Sequence, residues 1–510
     1  MKQNSIFGGA LLLTAAALLM RLVSIAFNIF LAERIGADGL GLLQLISTVG
    51  VFAALVGSSG VRVATLCLCA EEFGKRCLGG VRCALNACLR YGLAVSTVTG
   101  LLLFFAAKPI SELLLRDGNA ALSLAVMGLL LPFSCLCGVM DAYYTACGKL
   151  GRLVAIQSFQ RLASLLFTAL LLIFWAGGDR SRACCAIIFG GSLGSIFEFI
   201  LLYSQYRRDI GTIPFPKESP KMKGRLLRLC IPVALNDYLR AGLNTAEQLL
   251  IPYGLSQYAG STAKAMADYG TVHAMVFPVL MFPAAILYSL SDLLVPELSR
   301  SRVMARRLRI CDLTDKCLRL TLLFAACVSG FLFCCARPLG ILLYNSADAG
   351  TYLQLFAPMV LMLYLDAITD GMLKGMAEQV SCVRYNTFTS LLDVVFLFLL
   401  LPRWGIGGYV FSFAVTHAVN LFLSLRRLLK ITEHKMKLAA FFAPLSCLLP
   451  SLFAVFLLPQ EASPLSELIH RGGMFLLLYL PLCLLTNALH QKDLSWLKGI
   501  FSQQKMLPKR

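Results

Sequence analysis

IFGGALLLTAAALLMRLVSIAFNIFL, residues 6–31, is an apolar run with an arginine, Arg21, inside it. A helix of about 20 residues crosses the ~30 Å hydrocarbon core, so this run has the length of a membrane span. A second run, LCIPVALNDYLRAGLNTAEQLLI at 229–251, carries Arg240 in its middle. A guanidinium at mid-bilayer depth costs several kcal/mol unless it meets a partner or a wet cavity, and it therefore marks a site. Two of them at corresponding places in the two halves point to a duplicated transporter whose cavity receives something anionic.

The rest of the chain fits that reading. Of 510 residues, 58% are hydrophobic and 14% charged, with mean hydropathy +0.76. That excess of apolar surface excludes an ordinary soluble domain. Runs of span length rather than short alternating strands imply helices and not a barrel. The net charge of +19 is assigned to basic cytoplasmic loops, since no soluble basic module for nucleic acid is present. The nineteen cysteines sit in or beside apolar runs, as in Cys67 and Cys69 or Cys334 and Cys335. They read as small apolar filler and not as metal ligands. No metal or cofactor is expected. The N-terminal segment is too long for a signal-peptide core and contains Arg21, so it reads as the first span.

The hydropathy pattern predicts an all-α polytopic protein with about fourteen spans: 6–32, 40–66, 84–107, 119–146, 153–176, 183–205, 228–254, 268–295, 314–335, 351–375, 381–402, 406–429, 438–458 and 471–490. Of the 46 lysines and arginines, 32 fall in even-numbered connections and the termini and nine in odd-numbered connections. This asymmetry puts both termini in the cytoplasm. The expected organisation is a six-helix lobe at 1–206, a basic cytoplasmic linker at 207–227, a second six-helix lobe at 228–430, two further spans within 431–490 and a basic tail at 491–510.

An internal repeat supports the two lobes. Asp141-Ala-Tyr-Tyr-Thr-Ala-Cys-Gly-Lys149 ends span four, and Asp370-Gly-Met-Leu-Lys-Gly-Met-Ala-Glu378 ends span ten. The offset between these two segments also pairs Ser158-Phe159 with Thr387-Phe388. A slightly shorter offset separates Arg21 from Arg240 and, equally, Asn28 from Glu247. Spans one to six and seven to twelve read as parallel repeats related by an axis along the membrane normal.

Three stretches resemble the multidrug/oligosaccharidyl-lipid/polysaccharide exporter superfamily, and within it the stage V sporulation protein B branch near the lipid II flippases. They are Arg21 through Glu33-Arg34-Ile35-Gly36-Ala37-Asp38-Gly39-Leu40-Gly41; YGTVHAMVFPVLMFPAAILYSLSDLLVPELSR at 269–300; and span ten ending Asp370-Gly371-Met372-Leu373-Lys374-Gly375. After Gly60 the chain departs from the family's proline-containing segment with Val61-Arg62-Val63. The resemblance implies two six-helix lobes forming a V around a central cavity, with alternating access. It implies an undecaprenyl-pyrophosphate-linked saccharide as cargo, and Arg21, Arg62 and Arg240 map onto the cationic cavity described for lipid II flippases.

Each site residue also has a structural reading. A pyrophosphate matches the planar donor fork of arginine. Arg240, however, stands one helical turn after Asp237, and the two could neutralise each other. Arg62 could snorkel to the cytoplasmic face, and Arg90 and Arg161 lie near span ends. Asp237, Asp366, Asp141 and Asp370 are the coupling or gating candidates among the embedded acids, which also include Glu198, Glu247, Asp292 and Asp393. Repeat-equivalent Asp141 and Asp370 read as gate or helix-capping groups, and Asp366 as the better coupling candidate. His273 and His417 read as satisfied polar groups. Pro278 and Pro283 interrupt span eight and Pro232 opens span seven, either as hinges or as passive bends. The stretch 300–309 sets topology and touches anionic lipid headgroups. There is no phosphate-binding G-x-x-x-x-G-K-[ST] segment and no nucleophile–base–orienter set, so no enzymatic activity is expected. A drug or metabolite cation antiporter on the same fold, and a glycan polymerase needing a large external loop, are the competing functions. The oligomeric state is open, with a monomer adequate.

Overall fold

A computed structural model describes residues 4–75, 77–177, 179–209, 222–433, 438–459, 461, 463–486 and 488. Most of the 207–227 linker and all of the 491–510 tail lie outside the described residues. The helices are α1 (Asn4–Ser58), α2 (Val61–Gly74), α3 (Leu78–Pro109), α4 (Ala120–Ala146), α5 (Leu150–Phe174), α6 (Arg180–Asp209), α7 (Met222–Ala259), α8 (Thr262–Gly270), α9 (Phe277–Met281), α10 (Ala284–Val303), α11 (Arg307–Tyr344), α12 (Ala347–Phe356), α13 (Val360–Gly375), α14 (Gln379–Trp404), α15 (Ile406–Thr432), α16 (Leu438–Phe456) and α17 (Pro464–Leu485). No strand occurs among the described residues.

Ten of these helical stretches are long and apolar enough to cross a membrane, or eleven if the bent pair Thr262–Met281 and Ala284–Ser291 is one span. The ranges read from hydropathy fall wholly or largely on helix, but several take forms that the pattern does not show. Ranges one and two share α1, which turns at Gly36 (φ 72°). Range two is broken at Ser59 and Gly60, where α1 gives way to α2. Range eight contains a π-helical turn, Thr271–Val276, followed by a 59° bend at Pro283. Pro232 lies inside α7 and not at its start.

The chain forms two compact units. The first is Arg34–Tyr253. The second joins Met1–Glu33 to Gly254–Arg510. The two boundaries, at 33/34 and 253/254, are separated by nearly the spacing that separates Arg21 from Arg240. Each unit therefore takes the first span of a repeat from the other half of the sequence, with cuts inside α1 and α7.

In the first unit, α7 buries Met222, Leu226 and Cys230, at helical spacing, in a core with Val61, Leu68, Leu85, Tyr143, Tyr144 and Tyr206. Arg225 of α7 binds Glu71 and, at 3.2 Å, Glu72 at the end of α2. α3 and α4 meet at Gly100 and Gly128, where a Cβ on Gly100 would stand 2.3 Å from the Gly128 carbonyl oxygen. Such close backbone approach is how helices gain contact where lipid removes the hydrophobic drive for association. In the second unit, α17 lays Phe475, Tyr479 and Cys483 against α11, and the Tyr479 hydroxyl donates to the Leu323 carbonyl at 3.2 Å. The two extra C-terminal helices are thus attached to this unit through α11.

The turn joining α10 to α11 tests the orientation. Ser301 is buried, whereas Val303 is 86% exposed. In a cysteine-depleted background, Val303→Cys should react with a membrane-impermeant maleimide only after the cells are permeabilised. Labelling in intact cells would place this turn outside and overturn the orientation read from the charge asymmetry.

Candidate functional site

The internal repeat organises the half-buried acids. Asp141 of α4 accepts a hydrogen bond from Gln157 Nε2 of α5 at 3.0 Å. Asp370 of α13 accepts one from Asn386 Nδ2 of α14 at 3.3 Å. The two acids and the two amides keep one common offset, so one carboxylate–amide pair occurs in each unit. Near each lies a second pair with inverted charge. Lys149 binds Asp209 at 2.5 Å in the first unit, and Arg427 binds Glu378 at 2.7 Å in the second. Lys149 and Glu378 are repeat equivalents. The Arg427 guanidinium beside Glu378, helped by the Ser381 hydroxyl, holds that carboxyl below the usual carboxylate range.

The second unit extends its pair into a chain. Asn420 Nδ2 of α15 lies 3.1 and 2.9 Å from the two oxygens of Asp366 and 3.0 Å from Asn386 Oδ1. Asp366 and Asp370, one helical turn apart, are therefore linked through Asn420 and Asn386. Asn420 is only 4% exposed. In the first unit, buried Glu198 of α6 occupies the neighbourhood of Asp141 and Gln157. Sequence reading found the acids and missed the amides. The offset that pairs Asp141 with Asp370 also pairs Gln157 with Asn386, and this was the available signal. Nothing in the spacing announced Asn420.

The arginines are dispersed. Arg21 belongs to the second unit, half-buried, with Nη1 donating to the Met281 carbonyl at 3.3 Å and the guanidinium 5.6 Å from the Tyr288 ring centroid. Arg62, second residue of α2, is exposed and within electrostatic range of Asp141. Arg240 is exposed on α7, and among the described residues no ion pair or hydrogen bond joins it to half-buried Asp237. Arg90 and Arg161 are exposed. Of the other polar groups, His273 meets the Tyr409 hydroxyl at 3.1 Å, and His417 packs on Phe413 with centroids 4.1 Å apart. Asp393 accepts from Ser412 at 2.5 Å and Thr416 at 3.3 Å. The Asp292 side chain lies outside the described residues. Among the described residues no group of three or more His, Cys, Asp or Glu could hold a metal ion.

The Asn386 amide is the link whose loss is most readable. Asn386→Leu removes the donor to Asp370 and the acceptor for Asn420 together. A buried polar group left unsatisfied costs about 1–3 kcal/mol, and the detergent-solubilised variant should melt several degrees lower. An unchanged melting temperature would show that the chain from Asp366 to Asp370 contributes nothing to the fold.

The MatE family profile matches residues 13–173. Stage V sporulation protein B of Bacillus subtilis (strain 168) is 21% identical over 456 residues, covering 86% of this chain and 88% of that protein. Among solved structures, the lipid II flippase MurJ in an inward closed conformation superposes with TM-score 0.71 at 14% identity, covering 92% of this chain and 98% of that one. An inward-facing MATE family multidrug resistance transporter gives TM-score 0.58 at 14% identity, covering 82% and 96%. In sequence this membrane protein is thus similar to the sporulation protein and, over residues 13–173, to the MatE family, and it shares its transporter fold with the lipid II flippase and the MATE transporter.

Proposed function

We propose that this transporter is a flippase that moves an undecaprenyl-pyrophosphate-linked saccharide, a peptidoglycan or polysaccharide precursor, from the inner to the outer leaflet by alternating access. The observation that carries the reading is Arg240, an exposed guanidinium on α7 that, among the described residues, makes no ion pair with the neighbouring Asp237. Within the hydrocarbon region such a group is tolerated when it faces water or an anion. A pyrophosphate supplies the anion, and its oxygens suit arginine's bidentate donor geometry. Arg62, also exposed, and Arg21 are the other two cargo contacts. The relationship to stage V sporulation protein B and the fold shared with a lipid II flippase support this cargo class.

The chain of Asp366, Asn420, Asn386 and Asp370 supports a coupling role for Asp366, with Asp141 and Asp370 as gating groups and Asp237 as a further candidate. No nucleotide-binding segment supplies another energy source. We assign both termini to the cytoplasm of a bacterial cell membrane, the turn at 300–309 to anionic lipid headgroups, and the working unit to a monomer. A MATE-like cation-coupled antiporter is the second reading, and the embedded acids Asp141, Glu198, Asp366 and Asp393 favour it.

Arg240→Gln and Arg62→Gln should each abolish export of the lipid-linked precursor in a complementation assay while leaving protein abundance near wild type. Arg240→Lys should rescue only in part, because it keeps charge but loses the fork. Full complementation by both glutamine variants, together with loss of drug efflux in Asp366→Asn, would replace the flippase reading with the antiporter reading.

A further inference from the structure

Both units contain a broken second span, interrupted toward its end in the first unit and near its middle in the second, and the broken ends are handled alike. In the first unit, Ser59 (φ 41°) and Gly60 (φ 71°) take left-handed backbone, and the helical ladder ends with Ser59 N–H donating to the Leu55 carbonyl at 3.1 Å. The next carbonyl, Val56, receives side chains instead. Ser59 Oγ donates to it at 2.6 Å, and the Tyr238 hydroxyl donates to Ser59 Oγ while lying 3.3 Å from the same carbonyl oxygen. In the second unit, Pro283 lacks an N–H, and Ala285 and Ile286 bond back only three residues, to Phe282 and Pro283, both at 3.2 Å. The Leu280 and Met281 carbonyls are taken by side chains: Tyr364 Oη at 2.7 Å and Arg21 Nη1 at 3.3 Å.

The donors share an origin. Arg21 and Tyr238 come from the first span of each repeat, which each unit takes from the other half of the sequence. Arg21 corresponds to Arg240, and Tyr238 stands just before it in the chain. The breaks at Gly60 and Pro283 keep nearly the offset that relates the two arginines. An unsatisfied carbonyl costs several kcal/mol in hydrocarbon, so a broken span persists there only with a donor in place.

We propose that Arg21 and Tyr238 are positioning residues with the same task in their two units, Arg21 capping the freed Met281 carbonyl directly and Tyr238 holding the Ser59 cap on the Val56 carbonyl, each thereby keeping its second span bent. Straightening either span returns its carbonyl to the ladder and releases the donor. For Arg21, release of the Met281 carbonyl frees the guanidinium, so the bend of span eight and the availability of Arg21 are linked. The inference goes beyond the cargo role of Arg21 and holds whether or not Arg21 touches cargo.

The test is hydrogen–deuterium exchange on the full-length protein in lipid nanodiscs, following segments 57–64 and 282–288. Tyr238→Phe should raise exchange in 57–64 roughly 3- to 10-fold, the effect of losing one ordinary hydrogen bond, and leave 282–288 unchanged. Arg21→Ala should do the reverse. Arg21→Lys keeps a donor for the carbonyl and should restore protection of 282–288 to within about twofold of wild type. Unchanged exchange at the matching break, equal rises at both breaks, or no recovery in Arg21→Lys would overturn the proposal. Transport measured on the same variants reports on the cargo role separately. Arg21→Ala that exports cargo normally yet loosens 282–288 rejects the cargo contact and keeps the cap.

Discussion

A carbonyl that loses its helical partner inside a membrane must find a donor within the protein, and this requirement shapes both units. Lipid offers no hydrogen bonds, so a helix break that is routine in water must be repaired by side chains. Here the breaks lie at Gly60 and Pro283, and the repair comes from Tyr238 and Ser59 in one unit and from Arg21 and Tyr364 in the other. Two of these donors ride on spans that each unit takes from the opposite half of the sequence. The regrouping of spans one and seven therefore does more than fill space, since the bent spans depend on it. Gly60 is tied into the same arrangement. Its backbone is left-handed, and a Cβ there would stand 2.8 Å from the Cys230 carbonyl of α7.

The repeat survives in geometry more than in identity. A carboxylate and an amide of the following span meet in both units, as Asp141 with Gln157 and as Asp370 with Asn386. The nearby ion pair keeps its place but exchanges its signs, with Lys149 and Asp209 answered by Glu378 and Arg427. The charge inversion shows what the position demands: an electrostatic tie between the start of one span and the end of the next. Which end carries the positive charge does not matter to that tie. Only the second unit links its pair to another acid, through Asn420 to Asp366. The two halves have thus diverged at Asp366 and Asn420 and stayed alike at the carboxylate–amide pair.

Arginine depth alone does not identify a binding group. Arg21 has a carbonyl and an aromatic face for its guanidinium, whereas Arg240 is exposed with no bond to the acid one turn away. The same residue type at repeat-related places in the sequence therefore stands in two different environments. Arg62 follows the break in span two and lies within electrostatic range of Asp141.

Sequence alone determined the membrane class, the helical architecture, the approximate spans and the internal repeat. Hydrophobic run length and residue spacing are properties of the chain itself, and the bilayer thickness converts them directly into helices. Those same features marked Asp141 and Asp370 as equivalents. The one-turn spacing of Asp237 and Arg240 permitted an ion pair, but spacing sets only the neighbourhood and not the rotamers. The tertiary structure leaves them apart. It alone decided that spans one and seven join the opposite units, that Asn420 links Asp366 to Asn386, and that Arg21 and Tyr238 reach helix breaks far away along the chain. Such contacts join segments whose proximity depends on how the helices pack, and no local pattern in either segment encodes it.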